Sequence, residues 1–121
     1  MRKRLIGIFI MTIASSAFAN DSYEIISFKY KQGVSFEQQQ QSIESLNAIV
    51  EKFVGFKSRV FYYSEDNKRW FDFITWESIE DAKAASEQVM TNPQALEVFG
   101  LMDEESMIFS HYNKMGGVTK D

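Results

Sequence analysis

Residues 69–76 read RWFDFITW, and neither alternating set of side chains in this run is polar. One parity carries Trp70, Asp72, Ile74 and Trp76; the other carries Phe71, Phe73 and Thr75. A strand with one wet side alternates apolar and polar residues, so this one needs cover on both sides. The same holds for FKSRVFYYS at 56–64, where Phe61 and Tyr63 oppose Val60 and Tyr62. It holds again for MIFSHY at 107–112, where Met107, Phe109 and His111 oppose Ile108, Ser110 and Tyr112. A sheet built from such strands has an apolar face left over once helices cover the other. An uncovered apolar face of several hundred Å² is unusual on a soluble monomer. A second copy of the chain is the expected cover, and burial at ~25 cal/mol per Å² drives the pairing. The competing arrangement is a larger monomer core with the last short helix as a lid.

The remaining elements follow from local signals. Tyr23 to Lys31 is rich in β-branched and aromatic residues and stops at Gln32-Gly33, which predicts the first strand. Ser35 with Gln38 three residues on marks a helix start. Phe36, Ile43, Leu46, Val50 and Phe53 then recur at helical spacing, which predicts one amphipathic helix of about five turns ending at Gly55. The glutamines at 38–41 form its solvated side. Glu65 to Lys68 is a polar turn, so the strands at 56–64 and 69–76 form an antiparallel hairpin. Ser78 with Asp81 opens a second helix, whose Ala82 and Ala85 allow close approach to a sheet. Thr91-Asn92-Pro93 breaks it, and Pro93 suits the first turn of a short third helix. Asp103 to Ser106 is expected to be a solvated loop rather than a calcium site, and the last strand runs from Met107 to Tyr112. Lys114 to Asp121 is expected to be a flexible tail. The order βαββαβ predicts a ferredoxin-like α+β fold: a four-stranded antiparallel sheet with helices on one face, dimerising into an α+β barrel.

The first 19 residues have another purpose. Arg2, Lys3 and Arg4 precede an apolar run from Leu5 to Ala14, and Ala17-Phe18-Ala19 offers small residues where signal peptidase cuts. This is the layout of a secretory signal peptide, and the run is about half of the ~20 residues that a spanning helix needs. Cleavage after Ala19 and a periplasmic or secreted location are expected, with one domain over 20–113. No cysteine follows the run to carry a lipid. The 102 residues beyond it hold 10 basic and 17 acidic groups, a net charge of −7. Phosphate binding needs a basic surface, so nucleic acid is not an expected partner. Zero cysteines exclude a disulfide scaffold, thiol catalysis and cysteine-ligated metals; one histidine excludes a multi-histidine centre. No Gly-x-Ser-x-Gly elbow or glycine-rich phosphate loop is present. No metal and no cofactor are expected.

With Gly55-Phe56 entering the second strand, Trp70-x-Asp72-x-x-x-Trp76-x-Ser78 leading into the alanine-bearing helix, and His111-Tyr112 closing the last strand, the chain resembles the dimeric α+β barrel superfamily. The likeness covers nearly all of residues 22–113 and is closest to the antibiotic-biosynthesis-monooxygenase-like group. That group implies either a ligand-binding barrel or a monooxygenase that works without a cofactor. The haem-degrading branch of the superfamily matches poorly, because its asparagine, histidine and tryptophan set has no clear counterpart here.

His111 is the only side chain whose ordinary pKa lies near neutrality, so it is the candidate base or hydrogen-bond donor. Asp72 lies mid-strand among aromatics and needs a partner, with His111, Arg59, Arg69 and Lys57 as candidates; it could orient His111 or accept a proton. Trp70, Trp76, Tyr30, Tyr62, Tyr63 and Phe61 could stack on a flat ligand, or simply form core and dimer interface. Arg59 could hold an anionic substituent or be a solvated strand residue. Three functions fit: an exported dimer binding a small apolar or aromatic ligand in the barrel cavity, a cofactor-independent monooxygenase using His111 as base, or a structural dimer without a cavity. A barrel cavity below ~300 Å³ would favour the last.

Overall fold

The computed structural model describes residues 20–121; the leader expected over residues 1–19 and its cleavage point lie outside the described residues. Among the described residues, four strands and four helices follow in the order β1 (Ser22–Tyr30), α1 (Phe36–Ser45), α2 (Asn47–Val50), β2 (Phe56–Ser64), β3 (Arg69–Trp76), α3 (Ile79–Val89), α4 (Pro93–Phe99) and β4 (Met102–Tyr112). All pairings are antiparallel and the sheet order is β2-β3-β1-β4, which is the ferredoxin-like arrangement. Among the described residues, no helix is long and apolar enough to cross a membrane.

The helix ends are set by the residues that the sequence marks. Ser35 Oγ accepts the Gln38 N–H at 3.1 Å while the Gln38 side chain accepts the Ser35 N–H at 3.4 Å, a closed capping box. Ser78 Oγ accepts from Asp81 N at 3.0 Å, and Asn92 Oδ1 accepts from Ala95 N at 3.0 Å with Pro93 in the first turn. Gly55 takes φ +85, a left-handed conformation that lets the chain turn from α2 into β2.

Two expectations need correction. The single helix of five turns is two helices, interrupted at Leu46. Arg59 reaches in from β2 and donates from Nη1 to the Ile43 carbonyl at 2.9 Å and to Asn47 Oδ1 at 2.7 Å. Leu46 N bonds back to the same carbonyl at 3.3 Å, so the chain tightens there to an i→i+3 turn. The second correction concerns Asp103 to Ser106, which belongs to β4 rather than to a loop. Its pairing with β1 is irregular between Ser27 and Lys29, and Ser106 Oγ takes the Lys29 N–H at 2.8 Å across that bulge.

The helices cover one side of the sheet. Phe28, Tyr30 and Trp70 meet Ile43, Leu46, Ala95 and Val98 there, and Ile74 and Trp76 meet Ala82 and Ala85. The register places Tyr23, Ile25, Val60, Tyr62, Phe71, Phe73, Ile108 and Tyr112 on the other side. That side has no cover among the described residues: Val60, Tyr62, Phe71, Ile108 and Tyr112 are 39 to 59% exposed. The second apolar face read from the strands is present, and the strand parities divide as expected.

Candidate functional site

A cavity lies between the sheet and the helices of the chain. Its volume is about 270 Å³, just below the ~300 Å³ at which ligand pockets usually begin and so on the side expected of a structural dimer. Ile74 and Trp76 of β3 and Ile26 and Phe28 of β1 form its floor; Ala85 and Val89 of α3 and Leu46 and Val50 beside the helix break form its roof. Alanine at 85 and the short α2 leave space where larger side chains would close the layer. Four charged residues also line it: Glu24, Arg59, Asp72 and Glu104.

Arg59 and Asp72 are committed to each other. Arg59 Nε lies 3.0 Å from Asp72 Oδ1 and Nη2 lies 2.8 Å from Oδ2, with both side chains almost fully buried. Arg59 is therefore the partner that Asp72 required. Its three nitrogens are all engaged by Asp72, Ile43 and Asn47, and its guanidinium stacks 4.7 Å from the Phe61 ring. Burial pushes the Asp72 carboxyl up, and the Arg59 hydrogen bonds and charge pull it back.

His111 does not meet Asp72. Its Nε2 lies 3.2 Å from Oε1 of Glu24, directly opposite on β1. Glu24 is 5% exposed and lines the cavity. Its carboxyl is pushed up to about 7, first by burial and then by the negative charge of Asp72; the Trp76 indole and Arg59 oppose this. The Trp76 N–H is close enough to exert that pull but reaches no hydrogen-bond geometry, so Nε1 is buried without a partner. Burial, and then the Lys83 charge, hold His111 below its usual value. Burial thus works against the charged form of both members of the pair, which lie 3.2 Å apart in hydrogen-bond contact.

Of the expected aromatic residues, Trp76 alone lines the cavity. Trp70 and Tyr30 are core: the Trp70 indole donates to Gln39 Oε1 at 2.9 Å, and the Tyr30 hydroxyl bonds Ser42 Oγ at 2.6 Å. Phe61 and Tyr63 pack against that same cluster. Tyr62 stands on the uncovered face against Phe71, with ring centroids 6.3 Å apart. Glu24 is the residue that the motif reading missed. Its parity with Phe28 and Tyr30, on the buried side of β1, was the available signal.

The raised Glu24 carboxyl gives a pH-dependent stability. With an ordinary value of 4.5 and a folded value of about 7, the native state holds a proton between these limits that the unfolded chain has lost. Stability contributed by this group is therefore full below pH 4.5 and falls as pH rises through 7, by roughly 3 kcal/mol. Glu24→Gln removes that slope: urea unfolding at pH 5 and pH 8 should show the variant gaining on the parent by roughly this amount at the higher pH. His111 acts in the opposite sense, so the comparison between variant and parent isolates Glu24.

Solved structures share this ferredoxin-like fold at low sequence identity. A variant of SnoaB, a cofactor-independent oxygenase from Streptomyces nogalater, superposes with a TM-score of 0.69 at 12% identity, over 84% of this chain and 100% of that one. A proposed antibiotic biosynthesis monooxygenase from Bordetella bronchiseptica gives 0.68 at 14% identity, over 80% and 99%. Another from Nitrosomonas europaea gives 0.62 at 15% identity, over 81% and 94%. No protein-family model matches the sequence, and no curated protein sequence is significantly similar.

Proposed function

We propose that the protein is an exported homodimer that binds a small, neutral, mostly apolar ring compound in the cavity between sheet and helices, and that it acts there as a cofactor-independent monooxygenase. The cavity carries this reading: an apolar chamber of about 270 Å³ with one titrating carboxyl in its wall. Its volume suits one or two fused rings, and its walls disfavour an anion, because Arg59 is neutralised by Asp72. The likeness to a cofactor-independent oxygenase supports the chemistry, since such a reaction asks the protein only for a dry chamber and a base. The leader pattern at 1–19 supports export, and the apolar face bearing Val60, Tyr62 and Ile108 supports pairing with a second copy.

Binding of 2-naphthol tests the cavity. Trp76 is in its floor, so the ligand should quench tryptophan fluorescence in a saturable way. Ser86→Phe projects a ring into the same space and should weaken binding at least tenfold, about 1.4 kcal/mol. Absence of saturable quenching, or equal affinity in the variant, would rule the chamber out as a ligand site.

A further inference from the structure

We propose that Glu24, rather than His111, is the group that takes a proton from the ligand, and that His111 returns that proton to water. This rests on the cavity being the ligand site, and it narrows the ligand to a weak acid: a small ring ketone, or the enol or phenol that yields the same anion. Glu24 touches the chamber, whereas His111 is absent from its wall. The other lining carboxyls are unsuited. Asp72 is held by Arg59 at both oxygens, and Glu104 is exposed at the rim. Glu24 uses Oε1 for His111, and Oε2 has no hydrogen-bond partner among the described residues. His111 connects that buried carboxyl to the outside, since its side chain is 19% exposed against 7% for Glu24.

Every charged or titrating neighbour fits the assignment. On β3, Asp72 disfavours a second negative charge beside it and so makes Glu24 more basic, while the Trp76 indole favours the carboxylate that must be regenerated. On β2, Arg59 limits the effect of Asp72. On α3, Lys83 lowers the basicity of His111, which suits a group that must release the proton. The result is a base with a pKa near 7, where proton abstraction and release are both fast at neutral pH.

The step balances as follows. A C–H bond beside the carbonyl breaks and its proton bonds to Glu24. The electron pair forms the C=C bond of an enolate, and the carbonyl π electrons move to oxygen. The proton is taken by Oε2; rotation of the carboxyl about Cγ–Cδ brings it to Nε2 of His111 in its Nδ1–H tautomer, and the imidazole gives the Nδ1 proton to water. Return of a solvent proton along the same path, from water to Nδ1, from Nε2 to Glu24 and from Glu24 to carbon, restores the starting tautomer and closes the cycle without oxidation or reduction.

Exchange of the acidic C–H positions of 2-tetralone for deuterium, followed by NMR in D2O, tests this. The parent protein should accelerate exchange about 100-fold or more over buffer. Glu24→Gln should bind 2-tetralone with unchanged affinity and return exchange to the buffer rate. His111→Gln should bind normally and exchange several-fold more slowly, with the rate restored by added imidazole acting as a mobile proton carrier. Equal exchange in the parent and Glu24→Gln, or the parent at the buffer rate with the probe bound, overturns the role of Glu24 and leaves the ligand site standing. A His111→Gln rate that added imidazole does not restore overturns the outlet. Failure of 2-tetralone and 2-naphthol alike to bind overturns the ligand site itself.

Discussion

Arg59→Met should lower the unfolding free energy by about 3–5 kcal/mol, the largest single effect expected in this protein. The substitution keeps the aliphatic stem and removes a guanidinium whose side chain is 2% exposed. Asp72 then loses its contacts of 2.8 and 3.0 Å and is left as a carboxylate in the interior. The Ile43 carbonyl and Asn47 lose the donor that joins the helix break to β2. An uncompensated buried charge is what makes breaking such a pair costly, whereas replacing both partners with apolar side chains is often neutral. Adding Asp72→Leu should therefore recover most of the loss, leaving about 1 kcal/mol for the unmet helix carbonyl. The single variant should also regain stability on acidification, as Asp72 takes up a proton. Urea unfolding of the two variants at pH 5 and pH 7.5 measures all three effects. A single variant within 1 kcal/mol of the parent would show that the pair does not hold α1, α2 and the sheet together.

Gly55→Ala should cost about 2–4 kcal/mol, from two causes that add. At φ +85 an L side chain is strained, for of order 1 kcal/mol or more. A methyl group there would also stand 2.2 Å from Asp81 Oδ2 and 2.5 Å from Asp81 Cβ, well inside contact distance. Asp81 is in the first turn of α3 and its N–H is capped by Ser78, so relief requires that helix to shift. The displacement is opposed by the Gly55 carbonyl, which accepts the Glu77 N–H at 2.8 Å and ties the two segments together. Asp81→Gly in the same background, which removes the Cβ as well as the carboxylate, should recover the contact portion and leave the strain. A thermal melt of Gly55→Ala, of the Asp81→Gly single variant and of the double variant separates the two contributions. An unchanged melting temperature for Gly55→Ala would mean that neither the turn nor the α3 contact constrains the chain.

The elements were legible in the sequence because their ends carry local chemistry. Ser35 with Gln38, Ser78, Asn92-Pro93 and Gly55 each act on backbone groups within four residues, so neighbours in the chain suffice to place them. Strand parity was legible for the same reason: it separated Phe71 and Phe73 from Trp70 and Asp72 without knowledge of any partner strand. The break at Leu46 was hidden because its cause, Arg59, arrives from another element. The acidic run 103–106 looks like a loop by propensity; pairing with β1 and the Ser106 contact override that preference. The site was the least visible part. Glu24 stands alone in YEIISFKY and its partner His111 is 87 residues away, so no spacing motif joins them. Asp72 was found because a carboxylate amid aromatics stands out, but its choice of Arg59 over His111 depends on which strands are adjacent. The place of the cavity also follows from packing: the small side chains of α3 and the shortened α2 leave a gap under the helices, which composition alone does not locate.

The sheet is apolar on both sides: the chain's own helices cover one, with a chamber beneath them, and a second copy is proposed to cover the other. Sedimentation equilibrium of the chain from residue 20 onward, at micromolar concentration, tests this most directly. Twice the protomer mass is expected, falling to the single mass when Tyr62 and Ile108 are both replaced by aspartate on the exposed face. A parent protein that sediments as a single chain, with Tyr62 and Ile108 open to water, would contradict it.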